Sequence, residues 1–190
     1  MTSFGVDAQC SISVIGLGNV FLGDDGFGPL VIETFRCSYA CSESVEVIDL
    51  GTPGLDLAPY LYGKELVVIV DAVHSAMAPG TISFFREEDF VSSRAKLRIT
   101  GHDPGLWESL AHLRLAGRAP AELIVLGVTP ESCTFAEGIS ERIVEIAYEA
   151  SASIAQLLRD RGIACFKRVQ ARKPNLWWFP LTEPPSITAV

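Results

Sequence analysis

Residues 13–29 read SVIGLGNVFLGDDGFGP, and this stretch decides how the rest of the chain folds. The apolar run 12–17 predicts a buried parallel strand, the glycines predict a turn, and Pro29 predicts the first turn of a helix. Such a unit usually binds a phosphate, because backbone N–H groups and the helix dipole attract anions. Here the turn holds Asp24 and Asp25, which would repel a phosphate. The stretch therefore points to a cation.

The remaining sequence alternates between strand and helix patterns. We predict an α/β fold, a single-domain three-layer sandwich with a mostly parallel central sheet of about five strands. This domain spans residues 1–162, and a tail rich in proline and aromatic residues spans 163–190. The aromatic cluster 177–179 favours docking of the tail on the domain. Further strands are predicted at 45–50, 65–73, 81–86 and 121–128, and helices at 29–39, 55–61, 103–116 and 139–157. Residues 87–100 are predicted to form a surface loop with one helical turn.

Composition excludes several classes of protein. The net charge of −8 argues against nucleic-acid binding, and no apolar run is long enough to span a membrane. The N-terminal residues show no signal-peptide pattern, so we expect a cytoplasmic protein. The five cysteines include no C-x-x-C pair: Cys37 and Cys41 lie one helical turn apart and the others are scattered, which favours reduced thiols over a zinc site. Six of the 15 basic residues lie within 159–173. This basic segment is either a solvated helix end and tail or a contact surface for an acidic partner.

Acidic residues follow three of the predicted strands. Asp24 and Asp25 follow the first strand, Asp49 ends the second and Asp71 ends the third. His102 precedes a predicted helix N-terminus, where the dipole disfavours the imidazolium and favours the neutral, metal-binding form. Because parallel sheets place their sites at the carboxyl ends of strands, these groups could form a site for nickel or zinc. Asp24 and Asp49 could instead cap turns, and of the adjacent pair we expect Asp24 to bond the backbone of its own turn.

Other chemistries have weaker support. The sequence contains no G-x-S-x-G elbow and no Walker A motif, and no cysteine stands in a recognisable nucleophile context. Gly16-x-Gly18 and Asp49 partly imitate a dinucleotide-binding fingerprint, but Phe21 occupies the position of the third glycine. A Rossmann-like nucleotide-binding module therefore remains an alternative.

Motifs at four separate places, in the right order, resemble those of the hydrogenase maturation proteases, the endopeptidases that process the large subunit of [NiFe] hydrogenases. The resemblance covers about residues 12–160, and the turn Gly51-Thr52-Pro53-Gly54 also fits it. The matching motifs are Gly16-x-Gly18-Asn19-x3-Gly23-Asp24-Asp25-Gly26-x-Gly28, Asp71-Ala72, His102 with Leu106, and Gly127-Val128-x-Pro130-Glu131-Ser132.

The resemblance implies an aspartyl-type endopeptidase whose metal-contacting residues map onto Asp25, Asp71 and His102, with Asp25 and Asp71 as its catalytic residues. It implies no cofactor of the enzyme's own: the nickel arrives in the large-subunit precursor, whose C-terminal peptide is then removed. Family members often have Glu where this chain has Asp25, and Gly-His-Asp-Pro-Gly departs from the commoner His-Gln form. We expect a monomer. A non-enzymatic nickel-site chaperone using the same three residues is a further alternative.

Overall fold

The computed structural model describes residues 11–54, 57–92, 98–99, 103–170 and 172–178, with backbone only at 91–92, 98–99 and 103–104. Strands and helices alternate through most of this range, as predicted. The strands are β1 (Ile12–Leu17), β2 (Tyr39–Cys41), β3 (Val45–Gly51), β4 (Leu66–His74), β5 (Ile82–Arg86), β6 (Arg98–Ile99), β7 (Glu122–Val128) and β8 (Cys165–Lys167). The helices are α1 (Phe27–Ser38), α2 (Ala58–Leu61), α3 (Glu87–Ser92), α4 (Asp103–Leu115) and α5 (Glu141–Asp160), and a 3₁₀ turn spans Gly23–Gly26.

The main sheet has the strand order β3-β1-β4-β7-β5. Strands β3, β1, β4 and β7 are parallel, β5 runs antiparallel at one edge, and the short β6 pairs with the end of β4. Helices α1 and α5 pack together, as do α2 and α4, and each pair belongs to a different core cluster. Val68 and Val70 enter one cluster while Val67 and Ile69 enter the other, as expected for a strand buried on both faces. The predicted α/β sandwich with a mostly parallel sheet is confirmed.

Glycines bring α1 unusually close to the sheet. A Cβ on Gly28 would lie 2.1 Å from the Leu17 carbonyl oxygen and 2.4 Å from that of Val70. A Cβ on Gly16 would lie 2.5 Å from the Ile32 side chain. No side chain fits at either position, so backbone packs directly on backbone. This contact fixes the start of α1 over β1 and β4, and with it the turn that carries the two aspartates.

The region between β5 and α4 agrees with the prediction only in part. We predicted a surface loop with one helical turn over residues 87–100; the structure has the short helix α3 there and, in addition, the short strand β6, which was not predicted. Three acidic residues in the first turn of α3 complement the positive end of the helix dipole, which explains how a polar segment forms a helix.

A two-stranded ribbon outside the main sheet was not predicted. Tyr39, expected at the end of the first helix, instead begins β2, which pairs antiparallel with β8. Cys41 and Cys165 face each other in this ribbon with their Sγ atoms 2.9 Å apart. The hydrogen bond from the Ser42 N–H to the Ala164 carbonyl makes the neighbouring pair hydrogen-bonded, so the cysteines occupy a non-hydrogen-bonded position, where side chains approach most closely.

The described part of the tail packs against the domain. The Asn175 N–H donates to Glu33 Oε1 at 2.8 Å, and the Trp177 ring meets the Phe21 ring edge to face, with centroids 6.3 Å apart. This agrees with the expected docking of the aromatic cluster, although Phe179 and the residues after it lie outside the described range. Among the described residues, no helix is long and apolar enough to cross a bilayer.

Candidate functional site

The Gly-rich turn lies at the topological switch point of the sheet, where successive strands are added on opposite sides of β1. From β1 the chain first goes to β3 on one side and then to β4 on the other. Doubly wound folds place their sites at such a switch point, beyond the carboxyl ends of the strands. The 3₁₀ turn Gly23–Gly26 sits there, joined to the end of β1 and in contact with β4. Gly23 has φ +55°, and a Cβ on it would lie 2.7 Å from the Ser132 carbonyl oxygen.

Asp24 is a structural acceptor at the centre of this site. Its side chain is 1% exposed, and one oxygen, Oδ2, accepts the N–H groups of Glu131 at 2.8 Å and Ser132 at 3.2 Å. The other oxygen, Oδ1, accepts the Ser140 N–H at 2.8 Å. The expectation that Asp24 accepts backbone hydrogen bonds is therefore right, but its partners lie in the loop after β7 and not in its own turn. One buried carboxylate ties that loop to the turn.

Asp25 points back toward the first residues of the turn. It is 4% exposed, and its Oδ2 accepts the Asn19 N–H at 2.8 Å. The Asp25 carbonyl lies under Gly18, where a Cβ would stand 1.9 Å from that oxygen. Gly18 has φ +141°, so only glycine suits this position sterically and conformationally. The glycine spacing thus places the Asp25 carboxylate beside the end of β1.

Asp71 lies on the neighbouring strand at the same level. Val70 is in register with Gly16 of β1, so Asp71 stands one residue beyond, beside the start of the turn. Its side chain is 0% exposed, and its Oδ1 accepts the Ala72 N–H at 2.7 Å. Strand β4 is central in the sheet, which explains why the Asp71 carboxylate is enclosed while that of Asp49, near the end of the edge strand β3, is exposed.

Cys133 is a further residue of this site, and it was not predicted from the sequence. Burial and, to a lesser extent, the charges of Asp25, Asp24 and Asp71 raise the pKa of the Cys133 thiol to about 11, while a hydrogen bond from the Asp25 backbone acts in the opposite direction. All three carboxylates thus act electrostatically on this one thiol. A signal was present in the sequence: Cys133 directly follows the motif Pro130-Glu131-Ser132, in the loop at the carboxyl end of β7.

The third predicted ligand, His102, lies outside the described residues. Helix α4 begins one residue later, at Asp103, and its Gly105 packs so closely on the loop after β3 that a Cβ would stand 2.1 Å from the Gly54 carbonyl oxygen. The start of this helix is thus held at the same edge of the sheet as the carboxylates. The other two histidines, His74 and His112, are exposed, as expected for solvated side chains.

Asp49 stands apart from this centre. It ends β3 as an exposed residue, and its Oδ1 accepts the Gly51 N–H at 2.9 Å, so the turn-capping interpretation is right. Partial burial raises the pKa of the Asp49 carboxyl, while the nearby Arg36 lowers it. Asp49 lines a different cavity, on the β3 side of the turn.

The site is anionic and suited to a cation. Two carboxylates, Asp25 and Asp71, offer oxygen ligands at the switch point, while Asp24 is committed to the backbone. Within the described residues no three His, Cys, Asp or Glu side chains are grouped as a metal site, so these side chains do not make a complete cage. Fold and site together define an α/β protein whose switch point is lined with carboxylates where related folds bind phosphate.

Comparisons with known proteins identify the class more closely. Residues 29–157 match the family described as hydrogenase maturation protease. The chain is 31% identical over 158 residues to the hydrogenase 2 maturation protease of Escherichia coli, an alignment that covers 83% of this chain and 96% of that protein. It is 28% identical to the hydrogenase expression/formation protein HoxM of Azotobacter vinelandii, over 83% of this chain and 77% of that protein.

Solved structures agree. The hydrogenase maturating endopeptidase HybD from E. coli matches with a TM-score of 0.74 at 30% identity, over 83% of this chain and 97% of that one. The [NiFe] hydrogenase maturation protease HybD from Thermococcus kodakarensis matches with a TM-score of 0.62 at 25% identity, over 77% of this chain and 97% of that one. The chain therefore belongs to the hydrogenase maturation protease family, a family of endopeptidases.

Proposed function

We propose that this protein removes the C-terminal peptide of a [NiFe] hydrogenase large-subunit precursor after nickel has been inserted. The observation that carries the proposal is the position of Asp25 and Asp71, two buried carboxylates on neighbouring elements at the switch point. Membership of a family of hydrogenase maturation endopeptidases supports the substrate class.

In this proposal the nickel is part of the substrate. Asp25, Asp71 and His102 contact it, and the remaining coordination positions stay with the precursor's own ligands. Two carboxylates and one imidazole suit a borderline cation such as nickel. Because three protein ligands leave coordination positions open, the precursor's own ligands can stay on the metal while the enzyme contacts it. Binding of the metal then positions one peptide bond of the precursor next to the carboxylates, and this positioning determines which bond is cut.

The chemical step is hydrolysis of that peptide bond. A water oxygen bonds to the scissile carbonyl carbon, the C–N bond breaks, the leaving nitrogen takes a proton, and the products are a carboxylate and an amine. Either a carboxylate of Asp25 or Asp71 takes the proton of the attacking water, or the substrate's nickel polarises that water. Asp24 takes no part, because both of its oxygens are occupied by backbone N–H groups.

The test is to incubate the purified protein with nickel-loaded and nickel-free precursor and to measure the precursor mass. We expect loss of a C-terminal peptide only from the nickel-loaded form. If the protein binds the nickel-loaded form but neither form loses mass, the protein is a chaperone of the nickel site and not a peptidase. Equal cutting of both forms would refute the sensing of nickel.

The proposal also includes a monomer acting in the cytoplasm, without a membrane or nucleic-acid partner. The net charge of −8 supports the last point, since a duplex would be repelled. Sedimentation velocity of the full chain, expected to give a single species of 20.5 kDa, tests the monomer. A nucleotide-binding module is the competing function: saturable NAD or ATP binding that survives Asp25→Asn, with no response to nickel-loaded precursor, would favour it.

A further inference from the structure

A cavity lies beside the carboxylates, on the β3 side of the turn. Its volume is about 360 Å³, and it is formed by the end of β1, the end of β3 and the tail. Asn19 connects the two places: it lines this cavity, and its N–H donates to Asp25 Oδ2 at 2.8 Å. A polypeptide held at Asp25 can therefore extend a side chain into the cavity. Neither the proposed chemistry nor the proposed metal contact uses this space.

Three aromatic rings form one wall. Phe21 and Trp177 meet edge to face with centroids 6.3 Å apart, and Trp177 and Trp178 do so at 5.7 Å. Phe21 remains 54% exposed and Trp177 71% exposed, although each belongs to a residue type that folding tends to bury. Exposed aromatic rings grouped at the rim of a candidate site mark a surface for binding. The tail supplies two of the three rings.

The β3 side of the cavity carries a negative charge. Among the described residues that line the cavity, Asp49 is the only charged one, and Thr52 in the same loop region is polar. The hydrogen bond from the Gly51 N–H holds the Asp49 carboxylate in place, and in the described part of the chain no Lys, Arg or His lies within ion-pair distance of it. Arg36 acts on Asp49 only from a distance, because its guanidinium is hydrogen-bonded to the Val47 carbonyl.

Aromatic faces and a carboxylate together select a cationic side chain. A guanidinium can stack on an indole and bond a carboxylate with its edge, and an ammonium can use the same two partners less fully. The neighbouring carboxylates Asp24, Asp25 and Asp71 add to the negative potential around the cavity and favour the approach of a cation. An acidic side chain would be repelled, and an aliphatic one would leave Asp49 facing apolar atoms.

We propose that this cavity is a substrate subsite that binds one arginine or lysine side chain of the precursor segment flanking the scissile bond. The inference rests on the proposed peptidase function. The tail rings lie outside the family match, which ends at residue 157, 20 residues before the first of the two tryptophans. Phe21, Asp49, Trp177 and Trp178 are then specificity residues, distinct from the groups that contact the nickel.

The first experiment measures binding without any cutting. N-acetyl-Gly-Arg-Gly-amide is titrated into the full-length protein, and the indole N–H signals are followed by NMR. The chain has three tryptophans, and Trp107 lies elsewhere in the fold, so it serves as an internal control. We expect the signals of Trp177 and Trp178 to shift with a dissociation constant in the millimolar range, and the citrulline peptide, which has the same shape without charge, to bind at least tenfold more weakly.

Variants complete the test. Asp49→Asn and Trp177→Ala each should weaken binding of the arginine peptide at least tenfold, whereas Asp160→Asn, an exposed carboxylate elsewhere, should leave it unchanged. In cleavage of nickel-loaded precursor, the two subsite variants should raise KM while kcat stays within about twofold. Equal binding of the arginine and citrulline peptides, or no shift at Trp177 and Trp178, would overturn the subsite even if the precursor is cut. Peptide binding without cutting would overturn the peptidase function and leave the cation site standing.

Discussion

Asp24→Asn is the substitution whose effect the structure defines best. The carboxylate accepts three backbone N–H groups, two at Oδ2 and one at Oδ1. Asparagine keeps one acceptor oxygen, which can still face Glu131 and Ser132, but it turns an NH₂ group toward the Ser140 N–H. One charge-assisted bond is lost, at about 1.5–3 kcal/mol, and one buried donor is left unsatisfied, at about 1–3 kcal/mol. Since these terms overlap, we expect a loss of about 3 kcal/mol in the free energy of unfolding.

Urea denaturation followed by circular dichroism measures this loss. With a slope of about 2 kcal/mol per molar urea, the midpoint should fall by about 1.5 M. Amide hydrogen exchange reports the local effect: the N–H groups of Glu131, Ser132 and Ser140 should exchange faster in the variant. Asp160→Asn is the matched control, because Asp160 is exposed and its carboxylate accepts a hydrogen bond from the exposed Gln156 side chain. It should change stability by less than about 0.5 kcal/mol. If Asp24→Asn behaves like this control, Asp24 does not tie the loop to the turn.

Three further predictions follow from the packing and the thiols. With a pKa of about 11, the Cys133 thiol should react with iodoacetamide at pH 8 about a hundredfold more slowly than a thiol of pKa 9.0, and the rate should rise about tenfold per pH unit. Asp25→Asn removes a like charge, lowers the pKa of Cys133 and should speed the reaction. Oxidised glutathione should join Cys41 and Cys165 by thiol–disulfide exchange, slowly at pH 7 because burial beside Cys165 raises the Cys41 pKa to about 12. Gly28→Ala should cost about 3 kcal/mol or more, because its Cβ meets two backbone carbonyls.

Each of these has a result that would contradict it. Fast alkylation of Cys133 at pH 8, unaffected by Asp25→Asn, would show that the thiol does not interact with the carboxylates. The disulfide should lower the intact mass by two hydrogens and disappear in Cys41→Ser, so an unchanged mass after oxidation at pH 9 would mean that the ribbon does not pair as described. Gly138→Ala is the control for Gly28→Ala, since a Cβ on Gly138 would meet nothing within 4 Å. Equal stability of the two alanine variants would refute the close approach of α1.

The centre of the sheet could be predicted from the sequence because β1, β4 and β7 are apolar runs buried on both faces. Residues 12–17 and 66–73 are almost entirely apolar, and the glycines after β1 mark the turn. Helix α5 was equally clear, since its apolar residues recur at helical spacing. The small ribbon was not predictable in the same way. Strands β2 and β8 have three residues each and lie 124 residues apart, so no local pattern reports their pairing.

The candidate site was predictable in part. The sequence placed Asp25 and Asp71 at one edge of the sheet, because both follow parallel strands. It also identified Asp24 as the one of the adjacent pair that accepts backbone hydrogen bonds, but not its partners in the loop at 131–140, since they are more than 100 residues away. Cys133 was missed for the same reason: its surroundings come from three separate elements. His102 stays a prediction, because it lies outside the described residues.

The most direct test of the account compares isosteric variants of the proposed nickel contacts on nickel-loaded precursor. Asp25→Asn keeps an oxygen for the Asn19 N–H and Asp71→Asn keeps one for the Ala72 N–H, so both should fold while losing charge. We expect each of them, and His102→Ala, to lower kcat/KM at least about a thousandfold, or about 4 kcal/mol, with Asp160→Asn unchanged. Full processing by Asp25→Asn or Asp71→Asn would contradict the claim that these carboxylates contact the substrate's nickel and place the bond that is cut.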